Sequence, residues 1–386
     1  MFNVMPNLFY RIASLCFGLY LALSGATLES LDYSDMRGDP DYPSLFEVYE
    51  DYFPIGAAVY GQQLDNPRLR EFILKNFNSI TPEWQLKQNS YEREHDTWGP
   101  ETIIPAWQLL QPGDEDYRLK YMDILADFAR EHNLQLRGHT LIWPVSNVWM
   151  LWTDETRMEL TDKETLFARM DAYIAFIMNR YGDVINIWDV VNEPFHYGWT
   201  HRIKRTWYYE IAGEEFITHA FYLADKHGDE NDVLMVNETF VEGNRAKISN
   251  MFRSVRKWQR QGVRIDGIGT QGHMGTISTV PFDVNFRIVD ELAWRCRQLG
   301  LMLEYTEITM KLYETLEQRE AEPSEWLVVW QRNKYQKLFE ALRRNSDVII
   351  GATFWGLDDY HCVVNWDKTQ EVLDQPLLFD FEGNPK

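Results

Sequence analysis

Short apolar runs recur along the chain, each followed by a stretch in which apolar residues return every three or four positions. The runs are PIGAAVYG (54–61), FNSITPE (77–83), LQLRGHTLIW (134–143), VINIWDVVNE (184–193), DVLMVNE (232–238), GIGTQGH (267–273), MLEYTEIT (302–309) and IIGATFWG (349–356). Nearly continuous apolar character over so few residues predicts strands covered on both faces. Segments such as YMDILADFAREHN, LFARMDAYIAFIMNRYG, EEFITHAFYLADKHG and EWLVVWQRNKYQKLFEALRRN predict amphipathic helices between them. Strands alternating with helices imply a parallel sheet, and eight such units suit a closed (β/α)8 TIM barrel in a single catalytic domain. An open doubly wound sheet is the alternative.

The polar residues choose between the two. Nearly every run ends in groups able to do chemistry: Glu83, His139, Asn192 with Glu193, Asn237 with Glu238, Gln271 with His273, Glu307 and Trp355. A barrel builds its site from the carboxyl ends of many strands, whereas an open sheet concentrates it at one switch point. The barrel is therefore expected.

Composition narrows the partners. The chain has 386 residues, 45% of them hydrophobic, and a formal net charge of −21. Such a surface repels nucleic acid and anionic lipid. At the start, Arg11 precedes an apolar run from Ile12 to Leu23 and then Ser24-Gly25-Ala26. Residues 1–26 are read as a secretory signal peptide, 27–43 as an acidic leader and 44–386 as the catalytic domain. The mature protein is expected to be secreted (extracellular or periplasmic), monomeric and off the membrane. Removing the signal leaves Cys296 and Cys362, placed by the strand reading at opposite ends of the barrel and so expected to be free. GIGTQG (267–272) matches a dinucleotide fingerprint, but it lies inside an apolar run and opens no helix. No zinc-type spacing and no Walker loop occurs, so neither metal nor cofactor is expected. The sequon Asn237-Glu238-Thr239 falls at a predicted strand end inside the site and is read as coincidence.

Glu193 and Glu307 each close an apolar run, where a carboxylate is costly unless paired or used. Either they are structural ion-pair partners, or they form a glycosidase pair in which one protonates the leaving oxygen and the other attacks the anomeric carbon. Glu304 is the rival to Glu307. It lies deeper in its run, and a spacing of three on a strand is expected to put the two on opposite faces.

These motifs carry a resemblance. From residue 44 to the end, FNSITPE with Lys87, RGHTLIW, NIWDVVNE, GIGTQGH, YTEIT and TFWGLDD are similar, in order and spacing, to those of glycoside hydrolase family 10, the β-1,4-xylanases. The resemblance implies Glu193 as acid/base with Asn192 beside it for the sugar 2-hydroxyl, Glu307 as nucleophile, and His273 as the nucleophile's hydrogen-bond partner. It implies that Lys87, His139, Trp143, Gln271 and Trp355 line the subsite where the bond breaks, and that Glu83 serves the next one. The substrate expected is β-1,4-xylan, cleaved with retention. The alternatives are another β-linked or decorated glycan, or a non-catalytic carbohydrate-binding relative. The chain departs from the family pattern at Trp84, Gln88, Pro144-Val145-Ser146, Glu238-Thr239, Thr309 and Val363. It also stops at Lys386, where the family continues into a last helix. The resemblance thus implies either a truncated chain or an incomplete outer layer over the closing strands.

Overall fold

The structure is a computed structural model that describes residues 42–87, 119–146, 149–153, 159–196, 203–275, 286–313, 315–320, 323–365, 368, 370 and 372–386. The proposed signal, nearly all of the leader and Gln88 lie outside the described residues. The strands are β1 (Ile55–Val59), β2 (Ser79–Pro82), β3 (Gln135–Ile142), β4 (Ile185–Asn192) and β5 (Val233–Glu238). They continue as β6 (Gly267–Thr270), β7 (His273–Gly275), β8 (Met302–Lys311) and β9 (Ile349–Phe354). Each neighbour pairs in parallel, and β6 pairs with β8 while β9 pairs with β1, so the sheet closes on itself. Short β7 is a separate strand after β6, paired with the upper end of β8. Eight positions around a closed barrel result, as the alternation of strand and helix predicts.

Local sequence explains the outer layer. In the helix Lys163–Tyr181, Asp162 accepts from the Thr165 amide at 2.8 Å, capping the first turn. Leu166, Met170, Tyr173, Ile174, Ile177 and Tyr181 recur on one face and are buried against the barrel. The closing strands are covered too. Phe354 of β9 stacks on Phe339, and Phe339 meets Tyr49, while every residue of β1 is buried. Cys296 and Cys362 are buried and unbridged.

The barrel interior holds a buried charge cluster. Arg137 of β3 lies 3.0 Å from Asp189 of β4 and 2.8 Å from Glu304 of β8. Because β3 and β8 are not neighbours, the last contact crosses the interior, so Glu304 points inward. Glu307 also points inward, since it meets β3 and β5 side chains. The expectation of opposite faces is corrected: β8 slips register against β9 between Tyr305 and Ile308, which breaks the two-residue alternation. Gly351 makes room for this, because a Cβ there would stand 2.7 Å from Glu304 Oε1.

Candidate active site

Backbone pairing fixes the height of each functional residue. The amides of Glu83, Glu193, Gln271, Glu307 and Trp355 donate to carbonyls of the next strand, those of Val59, Asn237, Glu238, Gln271 and Ile308, at 2.7–3.1 Å. Five candidates are thereby set at the carboxyl rim of the barrel. Glu193 takes a left-handed backbone, φ 53°, as the chain leaves β4. Gly272, φ 75°, makes the turn that breaks β6 from β7 and lets Gln271 and His273 face the same space.

Gln271 joins the two glutamates. Its Nε2 donates to Glu193 Oε1 at 3.0 Å, and its carbonyl accepts the Glu307 amide at 2.7 Å. Glu307 Oε2 lies 3.2 Å from His273 Nε2, and its Oε1 accepts from Asn237 Nδ2 at 3.0 Å. The same Asn237 amide donates to Asn192 Oδ1 at 3.0 Å. His139 Nε2 stands 3.9 Å from Glu307, and its Nδ1 lies 2.8 Å from Asp189. Trp355 meets the His139 ring edge-on at 5.2 Å. Lys87 Nζ lies 5.1–5.2 Å from the rings of Trp84, Trp143 and Trp355. With Glu83 beside Lys87, all ten candidates belong to one connected cluster.

The electrostatics separate the carboxyls. Burial opposes ionisation of Glu307, but the His273 hydrogen bond and the fields of His139, His273 and Lys87 outweigh it. Its carboxyl is therefore held below the ordinary glutamate range. Glu83 goes the other way: burial raises it to about 7, with Glu307 adding to the rise and Lys87 and Lys368 opposing it. Burial also lowers Lys87, against the pull of Glu307, Glu83 and Glu193.

Four functional neighbours were not picked out as site residues from sequence. Asn237 is fully buried and bonded to both Asn192 and Glu307. Its place at a strand end was the available signal, since Asn192 and Asn237 are register partners. A buried amide so engaged is no glycan acceptor in the folded chain. Asp189 orients His139, and Thr309 Oγ1 lies 3.0 Å from His273 Nδ1. Lys204 Nζ lies 3.1 Å from Glu193 Oε2. Only the fold reveals Lys204, which follows Ile203, the antiparallel bridge partner of Phe195. The GIGTQG glycines serve packing: a Cβ at Gly269 would stand 2.5 Å from Asn237 Oδ1. Among the described residues no group of three or more His, Cys, Asp or Glu is arranged to hold a metal ion. No described helix is long and apolar enough to cross a membrane.

The model of Glycosyl hydrolase family 10 matches residues 44–386. A β-1,4-xylanase of Dictyoglomus thermophilum is 31% identical over 349 residues, which cover 90% of this chain and 89% of that protein. Endo-1,4-β-xylanase A of Caldicellulosiruptor sp. (strain Rt8B.4) is 33% identical over 90% of this chain, but only 47% of that longer protein is covered. Among solved structures, xylanase XynB from Paenibacillus barcinonensis, complexed with a conduramine derivative, superposes with a TM-score of 0.77 at 28% identity. That match covers 90% of this chain and 97% of the other. A mutant structure in complex with xylotriose has a TM-score of 0.73 at 30% identity, over 89% and 97% of the two chains.

Proposed function

We infer that this chain, which belongs to glycosyl hydrolase family 10, is a retaining endo-β-1,4-xylanase. One observation carries the reading: Gln271 Nε2 holds Glu193 Oε1 at 3.0 Å, while the Asn237 side-chain amide, bonded to Asn192 beside Glu193, holds Glu307 Oε1 at 3.0 Å, so the two carboxyls face one space. In the first step Glu307 attacks the anomeric carbon while Glu193 protonates the departing glycosidic oxygen. In the second, Glu193 removes a proton from water, whose oxygen displaces Glu307 from the same carbon. His273 and Asn237 support the charged form of Glu307, the state a nucleophile needs. Lys87, His139 and Asn192 orient sugar hydroxyls, and Trp143 and Trp355 offer apolar faces to the ring. Glu83 serves the neighbouring subsite. The names of the relatives support xylan as substrate.

The same reading makes residues 44–386 the catalytic domain, acting as a monomer. It makes residues 1–26 a cleaved secretory signal, supported by Arg11, the Ile12–Leu23 run and Ser24-Gly25-Ala26. Residues 27–43 follow as a leader.

Proton NMR of the first-formed product from xylo-oligosaccharides tests the mechanism. A β-anomer is expected, as is a crystallographic carboxyl separation of ~5–5.5 Å between Glu193 and Glu307. Glu307→Ala should abolish turnover of every substrate. Glu193→Ala should spare aryl glycosides whose leaving group needs no proton. An α-anomer, or equal loss on both substrate kinds, would overturn the assignment.

A further inference from the structure

Lys204 makes a buried contact that acid catalysis does not by itself require. Its amide donates to the Pro194 carbonyl at 2.7 Å, and the preceding Ile203 pairs with Phe195 in an antiparallel bridge. The ammonium is thereby brought to 3.1 Å from Glu193 Oε2, with both side chains largely buried. Behind it stands a second buried pair, Glu238 with Lys247 at 2.8 Å. Glu238 also accepts the Phe195 amide at 2.9 Å, so the bridge partner of Ile203 is tied to β5.

The contact has a chemical consequence. An ammonium has three donors and no acceptor. It bonds Glu193 Oε2 far more strongly while the carboxyl is ionised. On the other side, Glu193 Oε1 already accepts from the Gln271 amide. The acid role needs a proton on Glu193, whereas the base role needs the bare carboxylate. The pair therefore supports one half of the reaction and opposes the other.

We propose that Lys204 is a positioning residue that stabilises the carboxylate form of Glu193, easing proton release in the first displacement, opposing proton uptake in the second and setting the upper pH limit of the first. The inference rests on the retaining mechanism proposed above. In the first displacement the Glu193 proton moves to the glycosidic oxygen as the C–O bond breaks and the Glu307 ester forms. The carboxylate left behind then accepts the Lys204 bond. In the second, the proton from water returns to Glu193 and the Lys204 contact loosens again. The charged and titratable groups facing this site are Lys87 beyond β2, His139 on β3, Glu238 on β5, His273 on β7, Glu307 on β8 and Lys247 on the helix Arg245–Arg260. All of them stay in place in the test.

Lys204→Met removes the charge and keeps the chain length; Lys204→Arg keeps the charge. For xylo-oligosaccharides, whose leaving group needs a proton, the alkaline limb of kcat/KM should move up by roughly one pH unit in the Met variant. For a dinitrophenyl xylobioside, whose leaving group needs none, kcat/KM should hold while kcat rises severalfold, because Glu193 becomes a stronger base for breakdown of the glycosyl-enzyme; a fall in kcat would overturn the assignment. The Arg variant should restore both. An unmoved limb, or equal loss of kcat and kcat/KM at every pH, would overturn the assignment. If the Met variant does not fold, Lys204→Gln reads the same quantities. A wild type that inverts, or cleaves no xylo-oligosaccharide, would sink the xylanase reading itself. A retaining wild type with an unmoved limb sinks only the role of Lys204.

Discussion

Thr309 Oγ1 lies 3.0 Å from His273 Nδ1, across the ring from the Nε2 that faces Glu307 at 3.2 Å. Where the family pattern has an aspartate, which can only accept, this chain has a hydroxyl, which can also donate. A hydroxyl donating to Nδ1 favours the tautomer that carries its proton on Nε2, directed at the nucleophile.

Thr309→Val removes that donor and leaves Nδ1 without a partner in a half-buried place. Losing such a bond costs ~1–3 kcal/mol, so kcat should fall roughly tenfold with the fold intact. Thr309→Asp should retain activity by switching the ring to the aspartate-supported form. Nitrogen NMR of His273 checks the mechanism, with Nδ1 unprotonated in the wild type and protonated in the Asp variant. Full activity in the Val variant would show that the ring is oriented by other contacts.

The strands and most of the rim were legible in the sequence, because burial on both faces forces apolar runs and leaves chemistry only at their ends. Glu83, His139, Glu193, Gln271, Glu307 and Trp355 could be placed that way. What escaped was set by pairing between distant segments. The slip between Tyr305 and Ile308 turns both Glu304 and Glu307 inward, and it is fixed by β9, not by the local run. Lys204 reaches Glu193 from eleven positions further along, next to an Ile203–Phe195 bridge that no periodicity signals. Asp189 was hidden inside an apolar strand because its partners, Arg137 and His139, come from β3.

Gly269 is a test of how closely the site is packed. A Cβ there would stand 2.5 Å from Asn237 Oδ1 and 3.0 Å from Thr306 Cγ2. Asn237 is held by Asn192, Thr306 and Glu307, so it cannot yield without leaving the nucleophile. Gly269→Ala should therefore lower kcat by roughly ten- to a hundredfold while circular dichroism stays native. In a double-mutant cycle, Gly269→Ala should add little to Asn237→Ala, since both act on one contact. Full additivity would place the effect elsewhere.

Stability should fall as pH rises toward neutrality. Burial raises Glu83, Glu304 and Asp359 each to about 7, against nearby cations. A carboxyl raised in the folded state binds more protons there than in the unfolded chain between its ordinary range and 7. Stability therefore declines with pH across that window. Glu307 and Asp189 are lowered and act oppositely: their contribution is present above the ordinary range and is lost on acidification. The melting temperature should peak near pH 5–6 and drop by pH 8, each raised group costing on the order of a few kcal/mol. Glu83→Gln should be nearly neutral at pH 5 and stabilising at pH 8. A melting temperature that climbs from pH 5 to 8 in both proteins would contradict the assignment.

Trp84 decides what the cleft admits. The family places an asparagine there to read a sugar hydroxyl; an indole has one donor, no acceptor and a broad apolar face. Its ring is 40% exposed and lies 5.2 Å from Lys87 Nζ, inside the group that also includes Trp143 and Trp355. The position of the family's second tryptophan is Val363, half-buried in a single turn. The cleft has gained a stacking surface and lost a polar contact at Trp84, and it has lost bulk at Val363. A hydroxyl-reading contact discriminates strongly, because its loss leaves polar groups unpaired, whereas a stacking face tolerates substituents. The enzyme should therefore cleave unbranched β-1,4-xylan less well than a relative with the full pattern, and decorated xylo-oligosaccharides relatively better. Trp84→Asn should shift the ratio of kcat/KM values toward the unbranched chain by about tenfold, or ~1.4 kcal/mol. A strong preference for the unbranched chain in the wild type, unchanged by Trp84→Asn, would show that loop contacts elsewhere set the specificity and that Trp84 only fills space.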